Sequence, residues 1–218
     1  MTTVLVVDDQ ELVRAGFRLI LERAGMDVVG EAGDGVEALE RADATSPSVV
    51  LMDVRMPRMD GIEATRRLIA AHPEAKVLAL TTFDLDEYIY AAVQAGASGF
   101  LLKDVPPDDL IHAVRVVERG EAMLAPALTR RLLERFAGAP LPGELPEVWR
   151  VLTERELAVA RLIARGLSNT DIGAELFLSE ATVKTYVSRL FTKLGVRDRV
   201  QVAVLAYETG LVQAGRPA

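Results

Sequence analysis

Five short apolar runs recur along the first 120 residues, and each is followed by a stretch with the periodicity of an amphipathic helix. Runs of this length between turn residues are typical of strands that are covered on both faces. Alternating strands and helices favour an α/β fold, a five-stranded parallel doubly wound sheet. The runs lie at 3–7, 28–30, 49–52, 77–81 and 98–102.

Acidic residues follow two of these runs, Asp8 and Asp9 after the first and Asp53 after the third. Asp53 alone could simply begin a turn. Ligand sites in open α/β sheets lie at the carboxyl ends of strands, so the three carboxylates should meet. They would repel one another without a cation, and an all-oxygen site with few ligands suits Mg²⁺. One carboxylate could then attack phosphorus as a nucleophile.

Two further strand ends carry Thr81 and Lys103. A lysine can neutralise phosphoryl oxygens, and a hydroxyl can donate a hydrogen bond to one of them. Either residue alone is also compatible with an ordinary strand end. On separate strands beside the carboxylates, they complete a set suited to binding a phosphoryl group.

Residues 1–120 resemble the receiver domain of a two-component response regulator, which has a flavodoxin-like fold. The matching residues are Asp8, Asp9, Asp53, Met56, Pro57, Asp60, Gly61, Thr81, Phe100 and Lys103. The resemblance implies that Asp53 is the phosphoacceptor and that Thr81 and Lys103 contact the phosphoryl group. It also implies that Phe100 is an aromatic switch that follows the movement of Thr81.

The same resemblance implies a Mg²⁺ site formed by Asp8, Asp9, Asp53 and the main-chain carbonyl of Arg55. Arg55 and Phe83 lie two residues beyond Asp53 and Thr81, where side chains border the path of the hydrolytic water. We therefore expect a longer phosphoryl lifetime than small polar residues would give at these two positions.

Residues 121–147 are rich in alanine, proline, glycine and leucine, which is typical of a linker. Within them, residues 126–136 have the spacing of a short amphipathic helix. The segment before this linker carries 21 acidic and 12 basic residues, and residues 148–218 carry 7 and 10. The basic C-terminal part favours an anionic partner.

Residues 148–212 predict a small all-α domain of four helices. Thr153 and Glu156 form a capping-box pattern, Ser168 or Asn169 can cap the second helix, and Ser179 can cap the third. The short second helix and tight turn before the third are typical of a helix-turn-helix, which reads the major groove with its second helix. A stripe of small and polar residues on that helix could enter the groove, although such stripes are often only solvated.

The motifs of this segment resemble the LuxR-type DNA-binding domain, and a receiver followed by this domain is the NarL/FixJ class of response regulators. They are Leu152–Glu156, Leu162–Asn169, Ser179–Lys184 and Lys193–Arg197. By resemblance, Lys184, Thr185 and Ser188 face the bases of double-stranded DNA. Thr182, Lys193 and Arg197 are the corresponding candidates for phosphate contacts.

The composition is that of a globular protein without cysteine, which excludes disulfides and thiolate metal sites. No apolar run approaches the length of a membrane span and no secretory signal is recognisable, so we expect a cytoplasmic protein without membrane association.

The combined pattern predicts a transcription factor rather than an enzyme. A sensor histidine kinase would phosphorylate Asp53, and the charge would promote homodimer formation or domain release and so control transcription. A Mg²⁺-dependent phosphohydrolase is disfavoured, because no second carboxylate lies two residues from Asp53 to act as a general acid. Regulation without phosphorylation stays open, and the substitution Asp53→Asn would distinguish it.

Overall fold

The computed structural model describes residues 2–81, 86–120, 123–124 and 146–212. The chain divides into two compact units, Met1–Ala125 and Pro126–Ala218. Among the helices of the described residues, none has the length and apolar character needed to cross a membrane.

The first unit is built on a parallel sheet with the strand order β2-β1-β3-β4-β5-β6. All five predicted strands are present, and a sixth, two-residue strand follows them. The strands are β1 (Thr3–Val7), β2 (Asp27–Ala32), β3 (Val49–Asp53), β4 (Lys76–Thr81), β5 (Gly99–Leu102) and β6 (Met123–Leu124).

Helices cover both faces of this sheet, which confirms the doubly wound α/β prediction. They are α1 (Glu11–Arg23), α2 (Gly35–Thr45), α3 (Gly61–Ala71), α4 (Asp86–Gln94) and α5 (Pro107–Glu118). Alternate residues of β1 enter different cores: Val4 packs with α1 and α5, whereas Leu5 packs with α2 and α3. This alternation follows from the two-residue period of a strand.

Residues near the start of the segment that was predicted as a linker contribute a strand to the sheet. Met123 and Leu124 pair in parallel with Gly99 and Phe100 of β5, so a five-stranded sheet ending before residue 121 is incomplete. Composition could not indicate this pairing, because the two residues extend a sheet edge formed by distant parts of the chain. The predicted helix over 126–136 lies outside the described residues.

The second unit is helical and has the four expected helices. They are α6 (Glu154–Ala164), α7 (Asn169–Leu176), α8 (Glu180–Leu194) and α9 (Arg199–Glu208). Capping boxes at Thr153 and Ser168 begin α6 and α7, and Ser179 caps α8. Gly195 ends α8 with a left-handed φ of 65°, which glycine adopts without steric cost.

A short 3₁₀ helix, Glu147–Trp149, precedes these four helices and was not predicted. Trp149 is fully buried in the core of this unit, beside side chains from α6 to α9. Its indole Nε1 donates a hydrogen bond to Thr209 Oγ1 at 2.8 Å, which joins the start of the unit to the end of α9.

Candidate functional site

Three carboxylates meet at the carboxyl edge of the sheet, as predicted from the strand ends. One ligand oxygen from each of Asp8, Asp9 and Asp53 lies within 4.8 Å of the others. Asp8 is fully buried and Asp53 is 4% exposed, whereas Asp9 is open to solvent. The parallel pairing of β1 with β3, Val7 opposite Met52, brings Asp8 and Asp53 together.

Lys103 forms ion pairs with both buried carboxylates. Its Nζ lies 2.7 Å from Asp8 Oδ2 and 2.8 Å from Asp53 Oδ2, and the lysine side chain is only 9% exposed. Burial disfavours the lysine's charge, but hydrogen bonds to the two carboxylates outweigh it and raise the pKa of Lys103. Burial also raises the pKa of Asp53, and the nearby ammonium opposes this rise. A buried charge needs such a partner to remain ionised.

Main-chain groups hold the carboxylates in place. Asp8 Oδ1 accepts a hydrogen bond from the Gln10 N–H at 3.0 Å, and the Asp8 carbonyl accepts one from Arg14 at 2.7 Å. Asp53 Oδ1 accepts the Arg55 N–H at 3.3 Å. The parts played by Gln10 and Arg14 were not predicted, because contacts made through the backbone leave no motif in the sequence.

A cavity of about 500 Å³ opens beside Asp53. Thr81 ends β4 at this cavity, is 6% exposed, and lines the cavity together with Lys103. The lining residues are Asp9, Gln10, Asp53, Arg55, Met56, Pro57, Thr81 and Lys103. The structure thus brings together the residues predicted to bind a phosphoryl group.

Phe100 is not among the described residues that line this cavity. Phe100 is fully buried on β5, where it pairs with Ala79 of β4, two residues before Thr81. Phe83 lies outside the described residues, so the expected effect of Arg55 and Phe83 on phosphoryl lifetime stays a prediction.

Gly61 allows α3 to begin directly against the end of β3. A Cβ at this position would lie 1.9 Å from the Asp53 carbonyl oxygen, a distance that no side chain can adopt. The Gly61 N–H donates to the Val54 carbonyl at 3.0 Å, and Asp60 caps the helix by accepting the Glu63 N–H. The Asp60-Gly61 pair therefore fixes the backbone around Asp53.

Helix α8 separates a packed face from an exposed face. Val183 and Leu190 are fully buried, and Val187, Phe191 and Leu194 pack against the same core. The three residues predicted to face the bases, Lys184, Thr185 and Ser188, are all exposed. Lys184 Nζ is 2.8 Å from Glu180 Oε1, and Thr185 Oγ1 donates to the Ala181 carbonyl at 3.1 Å.

The three candidates for phosphate contacts differ in their surroundings. Thr182 is exposed and its hydroxyl bonds the Ser179 hydroxyl at the start of α8. Lys193 Nζ lies 2.7 Å from Oε2 of Glu156, which is 3% exposed, and this contact lowers the pKa of Glu156. Arg197 has an 18% exposed side chain, 3.9 Å from Asp198. Thr182 and Lys193 are thus exposed, whereas Arg197 is partly buried.

The chain matches known proteins over both units. The response regulator receiver domain matches residues 4–115, and the luxR family of bacterial regulatory proteins matches residues 150–206. The transcriptional regulatory protein YxjL of Bacillus subtilis (strain 168), itself described as uncharacterized, is 44% identical over 211 residues. That match covers 96% of this chain and 97% of YxjL.

Two solved structures extend the comparison. The response regulator ChrA of a heme-sensing two-component system is 38% identical, with a TM-score of 0.52, over 96% of this chain and 98% of ChrA. A structure of two RcsB dimers bound to two parallel DNAs is 25% identical, with a TM-score of 0.56, over 97% and 99% of the two chains. The chain belongs to the two-component response regulators that carry a receiver domain followed by a LuxR-type DNA-binding domain, consistent with the NarL/FixJ class.

Proposed function

We propose that Asp53 accepts a phosphoryl group from a sensor histidine kinase and that this event controls how the chain binds double-stranded DNA. The observation that carries the proposal is the convergence of Asp8, Asp9, Asp53 and Lys103 beside one cavity. We propose a receiver domain over 1–120, whose sheet is extended by Met123 and Leu124 of a linker over 121–147, and a DNA-binding domain over 148–212. We also propose a cytoplasmic location, where both the kinase and the DNA would be accessible.

In the transfer, a carboxylate oxygen of Asp53 forms the new bond to phosphorus while the bond from phosphorus to the donor's histidine nitrogen breaks. Asp53 must be ionised to attack, and the ammonium of Lys103 at 2.8 Å favours that form against the effect of burial. Lys103 and the hydroxyl of Thr81 are suited to hold the transferred phosphoryl oxygens.

The donor set fits Mg²⁺, because hard carboxylate oxygens gathered within 4.8 Å are its preferred protein ligands. Asp8, Asp9, Asp53 and the main-chain carbonyl of Arg55 would hold the ion. When bound, it would offset the negative charge gathered by the carboxylates and the phosphoryl group.

Thr81 and Phe100 would convert the new charge into a conformational change. Thr81 is at the cavity, and Phe100 is packed in the neighbouring strand two positions further from the edge. A buried ring cannot turn unless neighbouring side chains yield, so movement of Thr81 toward the phosphoryl group would alter the packing of β4 and β5.

We also propose that α8 enters the major groove with Lys184, Thr185 and Ser188 toward the bases. Thr182, Lys193 and Arg197 are the proposed phosphate contacts, of which Lys193 would first have to share its ammonium with Glu156. A homodimer would place two such helices on successive half-sites. A solved structure of RcsB dimers bound to DNA, at 25% identity, supports a dimer as the DNA-binding form.

Sedimentation of the full chain with Mg²⁺, before and after acetyl phosphate, tests the proposal beside Asp53→Asn. We expect the wild type to pass from monomer to dimer and the variant to stay unchanged. Asp60→Asn is a matched control, because asparagine also caps a helix and Asp60 lies in the same segment. An equal response in wild type and Asp53→Asn would contradict phosphorylation control.

A further inference from the structure

The loop that joins β3 to α3 is fastened to the start of α2. Nη2 of Arg58, in this loop, contacts Asp34 Oδ2 and lies 2.8 Å from Glu37 Oε1. Asp34 is 3% exposed, and its other oxygen caps α2 by accepting the N–H groups of Val36 and Glu37. The guanidinium is therefore attached to a carboxylate that the helix already holds in place.

The backbone of the loop supports the same attachment. Arg58 has a φ of +61°, a left-handed conformation that is unfavourable for residues other than glycine, so its contacts with α2 offset a local cost. The carbonyl of the next residue, Met59, accepts the Gly35 N–H at 3.1 Å. A Cβ on Gly35 would lie only 2.8 Å from the Met59 carbonyl oxygen, so the two backbones are in close contact.

The fastened loop also forms one wall of the acidic site. Arg55, Met56 and Pro57 line the cavity with Asp53, and the Arg55 N–H donates to Asp53 Oδ1 at 3.3 Å. Only two residues, Met56 and Pro57, separate Arg55 from Arg58, and the N–H of Met59 donates to the Pro57 carbonyl in a tight turn. The attachment of Arg58 to the start of α2 therefore limits where the main chain of Arg55 can lie.

We propose that Arg58, Asp34 and Glu37 form a latch that positions the β3–α3 loop for cation binding at the acidic site. Arg58 is a positioning residue, because it acts through the main chain near Arg55 and contacts neither the cavity nor its ligands. The latch rests on the proposed function, since it assigns a role in binding the Mg²⁺ of that site.

Direct titration with Mg²⁺, without any phosphodonor, tests the latch through amide chemical shifts in NMR spectra. Arg58→Gly keeps the left-handed turn but removes the guanidinium, and Glu37→Gln keeps an oxygen that can accept the Gly33 N–H. Partners that orient metal ligands typically change affinity by about 10–100-fold, and exposed pairs contribute less. We expect each variant to raise the dissociation constant for Mg²⁺ about three- to tenfold.

The direction of the changes in Mg²⁺ affinity distinguishes the latch from a simple effect of the lost charges. Loss of a positive charge in Arg58→Gly would by itself tighten cation binding, and loss of a negative charge in Glu37→Gln would weaken it. A latch predicts weaker binding in both, and a double variant no weaker than Arg58→Gly alone, because that substitution already removes the contact with Glu37.

Arg66→Gln is the matched control. Arg66 is 59% exposed, against 58% for Arg58, but its partner Glu63 lies in the same helix, α3. We expect wild-type Mg²⁺ affinity in this control. Unchanged affinity in Arg58→Gly and Glu37→Gln, opposite shifts in the two, or equal weakening in Arg66→Gln would overturn the latch. A wild type that binds no Mg²⁺ would instead refute the magnesium part of the proposed function.

Discussion

The acidic site and the exposed face of α8 both carry charged side chains that point to a ligand, but their surroundings are opposite. Lys103 is 9% exposed and contacts two carboxylates that are almost completely buried. Lys184 is 56% exposed and pairs with Glu180, one turn earlier on its own helix. In the first region the charges are stabilised by buried protein partners, whereas in the second they are stabilised largely by hydration.

This difference predicts where a substitution should have its effect. Removing one member of a buried charged set leaves the others without a partner, so the cost appears in folding. Removing an exposed charge changes the stability of the free protein little, so its effect appears only as a loss of DNA affinity. The two regions can be separated by measuring stability and DNA binding on the same variants.

The largest expected effect is that of Lys103→Met on stability. Asp8 and Asp53 would remain buried without their cation, which should lower the free energy of unfolding by about 3 kcal/mol at neutral pH. Without the ammonium, the pKa of Asp53 should rise further above its usual range, so protonation at acidic pH should reduce the cost. Urea unfolding followed by circular dichroism over a range of pH measures both effects.

Lys184→Met is the control for this comparison. We expect its unfolding midpoint to match that of the wild type, because the lysine and its partner are exposed. A large loss of stability in Lys184→Met, or a negligible loss in Lys103→Met, would remove the distinction between the two regions.

A second effect on folding should follow from Gly61→Ala. The added methyl group would overlap the Asp53 carbonyl, and forcing the backbone apart should cost about 1–3 kcal/mol. Gly16→Ala is its counterpart on α1, where no atom lies within 4 Å of the added carbon. Alanine is the better helix former, so this control should gain up to about 1 kcal/mol in urea unfolding. Equal stabilities would show that the contact at Gly61 is not restrictive.

On the DNA side, Lys184→Met should weaken binding rather than folding. A side chain that reads a base edge contributes roughly 1–3 kcal/mol, so we expect about a tenfold loss or more in affinity. The probe is a duplex selected from a random pool by the phosphorylated wild type, and fluorescence anisotropy is the measurement. Arg161→Met, on α6, should keep wild-type affinity, and an equal loss there would indicate a general charge effect instead.

The smallest expected effect concerns the contact between Glu156 and Lys193. The pKa of Glu156 is lowered in the folded chain, so its contribution is present above the unfolded pKa and is lost as the pH falls through the folded value. Lys193→Met should reduce this acid dependence and cost less than about 1 kcal/mol, since solvent screens the half-exposed lysine. Urea unfolding across acidic pH, followed by the fluorescence of Trp149, measures the change.

Glu154→Gln provides the comparison for that measurement, because Glu154 lies on the same helix but is exposed. Its stability should follow the wild-type dependence on pH. If Lys193→Met also retained that dependence in full, the contact with Glu156 would not be responsible for it.

The convergence of Asp8, Asp53 and Lys103 could be predicted because it depends on one rule, that parallel strands end at the same edge. Short apolar runs located those ends to within a residue or two. The caps at Thr153 and Ser179 were also predictable, since a cap and its helix are adjacent in sequence. In each case the determining information is local, or is repeated along the chain.

Contacts between distant residues were not predictable in the same way. Lys193 and Glu156 are 37 residues apart, and only the packing of α6 against α8 brings them together. Arg58 adopts a left-handed conformation that its residue type does not favour. The attachment of its loop to α2 could therefore not be predicted from the residue type alone. The addition of β6 to the sheet likewise depends on the position of β5.

Intact-protein mass spectrometry after incubation with acetyl phosphate and Mg²⁺, followed by peptide mapping, tests the central claim most directly. We predict one phosphoryl group per wild-type chain, located on Asp53, the same adduct in Asp60→Asn, and none in Asp53→Asn. A phosphoryl group on another residue, or an adduct that persists in Asp53→Asn, would contradict the assignment of Asp53 as the acceptor.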